Sequence, residues 1–103
     1  MKCFRQGDIL LVEVSSLPDA VIQEQYGVCI LARGEQTGHT HAVEEHGEIW
    51  VDVNDAGKRY LKVLSDTVLK HQEHGEIALK GELAYRIVRQ RMYLRQEIRH
   101  VAD

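Results

Sequence analysis

Six histidines stand out in a chain of 103 residues. Thr37-Gly38-His39-Thr40-His41 places two imidazoles at i and i+2, which share one face of an extended backbone. His71-Gln72-Glu73-His74 supplies two more, with Glu73 between them. A divalent ion such as zinc, manganese or nickel is held by imidazole nitrogens and carboxylate oxygens, for zinc three or four at roughly 2.0–2.2 Å. If the two segments meet in the fold, His39, His41, His71 and His74 furnish such a set, with Glu45 and Glu73 close by. A coordination position left open would permit Lewis-acid catalysis, with Glu45 or Glu73 as acid or base. The plainer reading is that turn histidines are solvated, or hydrogen-bond the backbone around them.

An identical pentapeptide ties the two regions together. Glu45-His46-Gly47-Glu48-Ile49 returns as Glu73-His74-Gly75-Glu76-Ile77, 28 positions later. In both copies the His-Gly pair is expected to close a turn and the Ile to start a strand. Two copies are too few for a solenoid. His46 is the echo's other imidazole, and His100 stands apart near the C-terminus.

The elements that must position these side chains have period two. In Ile9–Val14, Ile9 and Leu11 share one face and Leu10, Val12 and Val14 the other, as in a strand covered on both sides. Val28–Ala32 reads as a second strand. In Ile49–Val53, Ile49, Val51 and Val53 are expected inward while Trp50 and Asp52 point away. Tyr60–Leu64, the short run at Ile77 and Leu79, and Tyr85–Tyr93 complete the set, although Ala84, Val88 and Met92 also fit a helical stripe. Asn54-Asp55-Ala56-Gly57 and glycines 27, 34, 38, 47, 75 and 81 punctuate the runs. The spacing predicts one all-β domain over residues 1–103, a small antiparallel β-barrel or sandwich. Two short helices are expected, one around Pro18–Gln25 and one at the C-terminus through Leu94, Ile98 and Val101.

Composition narrows the function classes. The formal net charge is −3, so no global field draws the protein to nucleic acid. The charge is unevenly placed. Residues 1–79 carry 7 Lys/Arg against 13 Asp/Glu, a net of −6, whereas residues 80–103 carry 6 against 3, a net of +3. Arg86, Arg89 and Arg91 interleave there with Tyr85 and Tyr93, the pattern by which an exposed sheet holds a single strand of nucleic acid or a protein partner. The same arginines could pair with the acidic body, within one chain or between subunits, and a homo-oligomer is the expected state. Cys3 and Cys29 lack C-x-x-C spacing, and Cys29 lies in an apolar run that suits a buried thiol. Without an apolar span or a secretory signal, the expected address is the cytoplasm, off the membrane. No P-loop, dinucleotide fingerprint or nucleophile elbow is present.

Two resemblances add to this. His39-Thr40-His41 followed by Glu45 resembles the first metal-binding motif of the cupins, small β-barrels in which H-x-H and Glu bind a metal completed by a later His. That resemblance implies His39, His41 and Glu45 as ligands with His74 or His71 as the fourth. The sequence has Asp52 where the cupin motif has glycine. More of the chain is covered by Arg5-Gln6-Gly7-Asp8-Ile9-Leu10-Leu11-Val12, Gly34–His41, His71-Gln72-Glu73-His74 and Tyr85-Arg86-Ile87-Val88-Arg89-Gln90-Arg91. In that order these blocks resemble a family of small uncharacterised bacterial and phage-borne proteins. The resemblance implies that both histidine segments belong to the family's pattern, and it implies no activity. Leu83-Ala84 precedes Tyr85 where that pattern has a tight glycine turn. The expected function is a metal- or small-ligand-binding module at the histidine loops. An interaction module using the Arg/Tyr strand and a metal-dependent enzyme are the alternatives.

Overall fold

A computed structural model of the protein describes residues 2–34 and 38–90. All eight elements in these residues are strands: β1 (Cys3–Gln6), β2 (Ile9–Val14), β3 (Val21–Arg33), β4 (Thr40–Asp52), β5 (Asp55–Val63), β6 (Thr67–Lys70), β7 (Ile77–Leu79) and β8 (Leu83–Arg89). Every pairing is antiparallel. The order β1-β2-β8-β5-β4-β6-β7, with β3 on β4, wraps into a nearly closed barrel-like sheet.

The wrapping depends on a change of partner within β4. Its first half pairs with β6 through Ala42↔Lys70 and Val43↔Leu69. Its second half pairs with β5 from Gly47↔Val63 onward. At the junction His46 takes a left-handed φ of 63° and its carbonyl accepts from the Leu64 amide at 2.8 Å. The strand therefore bends where it leaves one neighbour for the other. The first copy of the echoed pentapeptide is this bend inside a long strand, not a turn that starts one. Only the second copy leads into a strand, at Ile77. Gly47 packs tightly on the inner face, where a Cβ would stand 3.2 Å from Cys29 Sγ.

Alternation fills the interior. Ile9 and Leu11, Leu61 and Val63, and Tyr85 and Ile87 each point inward from one strand, joined by Cys29, Leu31, Val43, Ile49, Leu69 and Leu79. Leu10, Val12 and Val14 on the other face of β2 are half-buried. Burial pushes the Cys29 thiol pKa up, with the charge of Glu48 adding to it, as suits an inert core cysteine.

Three local expectations are corrected. The helix expected around Pro18–Gln25 is absent, because Val21 onward forms β3, paired with Asp52 and Val51 of β4. Thirteen-residue β4 offers a long antiparallel ladder to pair with, and β-branched Val21 and Ile22 favour it. Val53 is 54% exposed, since the strand ends at Asp52 and Val53-Asn54 make the turn into β5. The last strand begins at Leu83, and the tight turn before it forms at Gly81-Glu82, where Glu82 takes a φ of 68°. Residues 83–89 are strand and not helix, whereas the expected C-terminal helix and Tyr93 lie outside the described residues. No helix among the described residues is long and apolar enough to cross a membrane.

β1 and β7 are the two ends of the sheet path, and a side chain straps the seam between them. Gln6 Nε2 donates to the carbonyls of Leu69 at 3.0 Å and Gly75 at 2.9 Å. Gln6 is 2% exposed, and its bond to Leu69 is shielded from water. This strap places the β1–β2 turn against the β6–β7 loop.

Candidate functional site

The seam is where the histidines meet. His41 is the second residue of β4 and points inward, 3% exposed. His71 and His74 come from the loop between β6 and β7, and His39 from the segment leading into β4. Ring centroids are 4.3 Å apart for His41 and His71, 4.6 Å for His71 and His74, and 6.3 Å for His41 and His74, the last pair nearly parallel. His39 meets His71 edge-on at 5.6 Å. The two sequence segments do converge. Thr40 N donates to Gln72 Oε1 at 2.9 Å, which ties the segments together through the backbone as well.

The β1–β2 turn closes over this cluster. Gly7 has a φ of 59°, the conformation required at the first position of a two-residue hairpin turn of the glycine-first type. A Cβ at Gly7 would stand 2.6 Å from His74 Nε2 and 3.3 Å from His41 Cε1. With no side chain at residue 7, the turn lies directly against His74 without displacing its ring. Asp8 beside it projects into the cluster.

Hydrogen bonds decide the chemistry of His41. Both amide hydrogens of Gln6 are used by backbone carbonyls, so Gln6 Oε1 is an acceptor. His41 Nδ1 lies 2.8 Å from that oxygen and must carry the proton it donates. Its other nitrogen, Nε2, faces Asp8 Oδ1 at 3.1 Å. In the neutral ring this nitrogen is a lone pair. Burial and then the charge of His71 hold the His41 pKa below the ordinary imidazole value, with Asp8 opposing. Burial pushes Asp8 upward, but the hydrogen bond and charge of Arg89, and then those of His41, outweigh it and hold its carboxyl below the usual range. Arg89 Nε donates to Asp8 Oδ2 at 3.0 Å and its guanidinium also reaches the Arg33 carbonyl.

The other imidazoles differ. His71 Nδ1 accepts the backbone amides of Glu73 at 3.0 Å and His74 at 3.3 Å, so its neutral ring carries the proton on Nε2. Burial, then His74 and His39, hold its pKa below the ordinary value. His39 pairs with Glu73 at 3.2 Å on the rim. Glu45 is not brought to the cluster. It lies four residues along β4 from His41, about 13 Å at the rise of an extended strand. Its carboxylate is exposed, beside His46 at 3.8 Å. No group of three or more His, Cys, Asp or Glu side chains among the described residues stands ready to hold a metal ion.

The basic strand is divided. Tyr85 is 1% exposed and packs its ring against Phe4, with centroids 5.9 Å apart. Arg86 is exposed, Arg89 is committed to Asp8, and Arg91 and Tyr93 lie outside the described residues. Gln6, Gly7 and Asp8 were the residues that histidine spacing alone could not reveal. Their signals were a polar-glycine-acidic run just before a strand and their place in the first block of the family pattern.

A nearly closed antiparallel barrel with an imidazole cluster under its first hairpin turn is thus the class of protein in hand. The chain belongs to the family described as Domain of unknown function (DUF8820), whose model matches residues 5–90. That span takes in all four clustered histidines, Gln6, Asp8 and Arg89. No curated protein and no solved structure matches the chain.

Proposed function

We propose that the protein binds one divalent transition-metal ion at the histidine-bearing end of the barrel. The observation that carries this reading is the approach of His41 Nε2 to Asp8 Oδ1 at 3.1 Å. With Gln6 fixing the proton on Nδ1, two electron-pair donors face each other, and a cation belongs between or beside them. Two donor atoms on one ion, each ~2.0–2.2 Å from it, stand about 3.0–3.5 Å apart, which accommodates the observed separation. Proton and metal ion compete for that position. A ligating imidazole whose other nitrogen donates to a fixed carbonyl oxygen is the usual arrangement around bound zinc, and Gln6 supplies that oxygen.

His41 and Asp8 are the first two ligands of this site. His74 beneath Gly7 is the third once its ring rotates toward them, since the three groups do not stand at ligand distance before the ion binds. His71 is the weaker candidate, because its Nδ1 accepts two backbone amides and its Nε2 must lose a proton to coordinate. Imidazoles around one tetrahedral ion have centroids about 5 Å apart, so His41 and His74, at 6.3 Å, must close by roughly 1 Å on the ion.

Zinc titration of chelator-treated protein by calorimetry tests the reading. One ion per chain is expected, with binding lost in His41→Ala and in Asp8→Asn, and retained in His46→Ala. Absent or non-saturating binding, or equal binding by the His41 variant, would refute it.

A further inference from the structure

A groove of ≈ 530 Å³, lined in part by Arg89, runs between the end of β3, the start of β5 and the end of β8. Its size suits a small molecule. Three arginines line it: Arg33, Arg59 and Arg89. Its apolar lining includes Ile30, Leu31 and Ile87.

Arg59 is held in place yet incompletely used. Its guanidinium donates to the Leu31 carbonyl at 2.7 Å and to Glu24 Oε1 at 2.7 Å. Its Nε is buried and has no partner, alone in this among the buried side-chain nitrogens and oxygens of the described residues. A buried N–H on a charged group is costly to leave unmet, and the strongest acceptor for it is an oxyanion. Arg33 has no acidic partner among the described residues. Three guanidinium groups against the carboxylates of Glu24 and Asp8 leave a surplus of one positive charge. One surplus charge matches a singly charged head, and the aliphatic lining matches an apolar body.

We propose that this groove binds a small organic carboxylate, its oxygens on the Arg33 guanidinium and on Arg59 Nε–H once that group opens to the groove, and its apolar part along Ile30 above the core residues Leu31 and Ile87. The site shares Arg89 with the histidine cluster and is independent of any metal bound there.

The test is an NMR titration of chelator-treated protein with hexanoate and, separately, with inorganic phosphate. Hexanoate should shift the Arg59 Nε–H resonance and the methyls of Ile30, Leu31 and Ile87 along one saturable curve. Phosphate should bind more weakly. Arg33→Gln, whose side chain holds nothing in the fold, should weaken hexanoate about tenfold, as expected for losing one charged hydrogen bond. Arg86→Gln, an exposed arginine outside the groove, should change it less than about twofold. Non-saturating shifts, phosphate binding as tight as hexanoate, or equal losses in the two arginine variants would each overturn the proposal. Because zinc is removed throughout, failure of the metal reading leaves the expected hexanoate result unchanged.

Discussion

Gln6 determines which nitrogen of His41 carries the proton. The carboxamide is anchored by Leu69 and Gly75 at 3.0 and 2.9 Å, and its oxygen meets His41 Nδ1 at 2.8 Å. A residue that closes the sheet seam therefore also sets the tautomer of the most buried imidazole. Structure and chemistry are coupled at one side chain.

That coupling makes Gln6→Leu informative. The variant leaves the buried Leu69 carbonyl and the His41 Nδ1–H unpaired, each worth about 1–3 kcal/mol, while the Gly75 carbonyl can turn to water. A loss of about 2–5 kcal/mol in urea unfolding is expected, together with weaker zinc binding. A change under about 0.5 kcal/mol would mean the seam does not depend on the strap.

Acid should destabilise the fold in a defined window. His41 and His71 are held below the ordinary value of 6.5, so below that pH the unfolded chain takes up protons that the fold resists. Their stabilising contribution is full above pH 6.5 and is lost as pH falls toward the folded-state values. Asp8, held below 3.8, adds a loss at lower pH, when its carboxylate protonates. Urea midpoints from pH 8 to pH 5 should decline, and zinc should be released over the same range. A flat profile down to pH 5 would contradict the burial of these imidazoles.

Gly7→Ala strains a backbone at φ 59° and places a methyl against His74. The conformational cost is about 1 kcal/mol, since alanine enters this region unwillingly. His74 can swing aside, so most of the effect should fall on the metal site. Zinc affinity should drop at least tenfold while the fold survives, by calorimetry and circular dichroism.

Zinc binding should also rank the histidines. His41→Ala and His74→Ala should abolish it, whereas His71→Ala, which removes a ring with an acceptor Nδ1, should cost less. Equal losses in all three would show that His71 ligates after rearrangement of its backbone bonds.

Glu82 takes a φ of 68° without being glycine. Glu82→Gly should relieve that strain and raise stability by about 0.5–1 kcal/mol. Loss of stability would show that the Glu82 side chain contributes more than its backbone costs.

Much of this protein was determined by local sequence. Period-two alternation at Ile9–Leu11, Leu61–Val63 and Tyr85–Ile87 defined strands and their inner faces, because side-chain direction in a strand follows from covalent geometry. That His39 and His41, and His71 and His74, form two local pairs was legible from residue type and spacing; that the two pairs meet is tertiary. The chain's own chemistry does not state where β4 changes partner. The echoed Glu-His-Gly-Glu-Ile is a bend in one place and a loop in the other, since the same five residues meet different ladders. Nor does it state that Pro18–Gln25 gives way to strand, which long-range pairing with β4 imposes over local preference. Above all, only the tertiary structure brought Gln6 and Asp8 to His41, 35 and 33 positions away. Barrel closure decides such contacts, because the seam joins the first hairpin to a loop some seventy residues later in the chain, and no local pattern encodes that meeting.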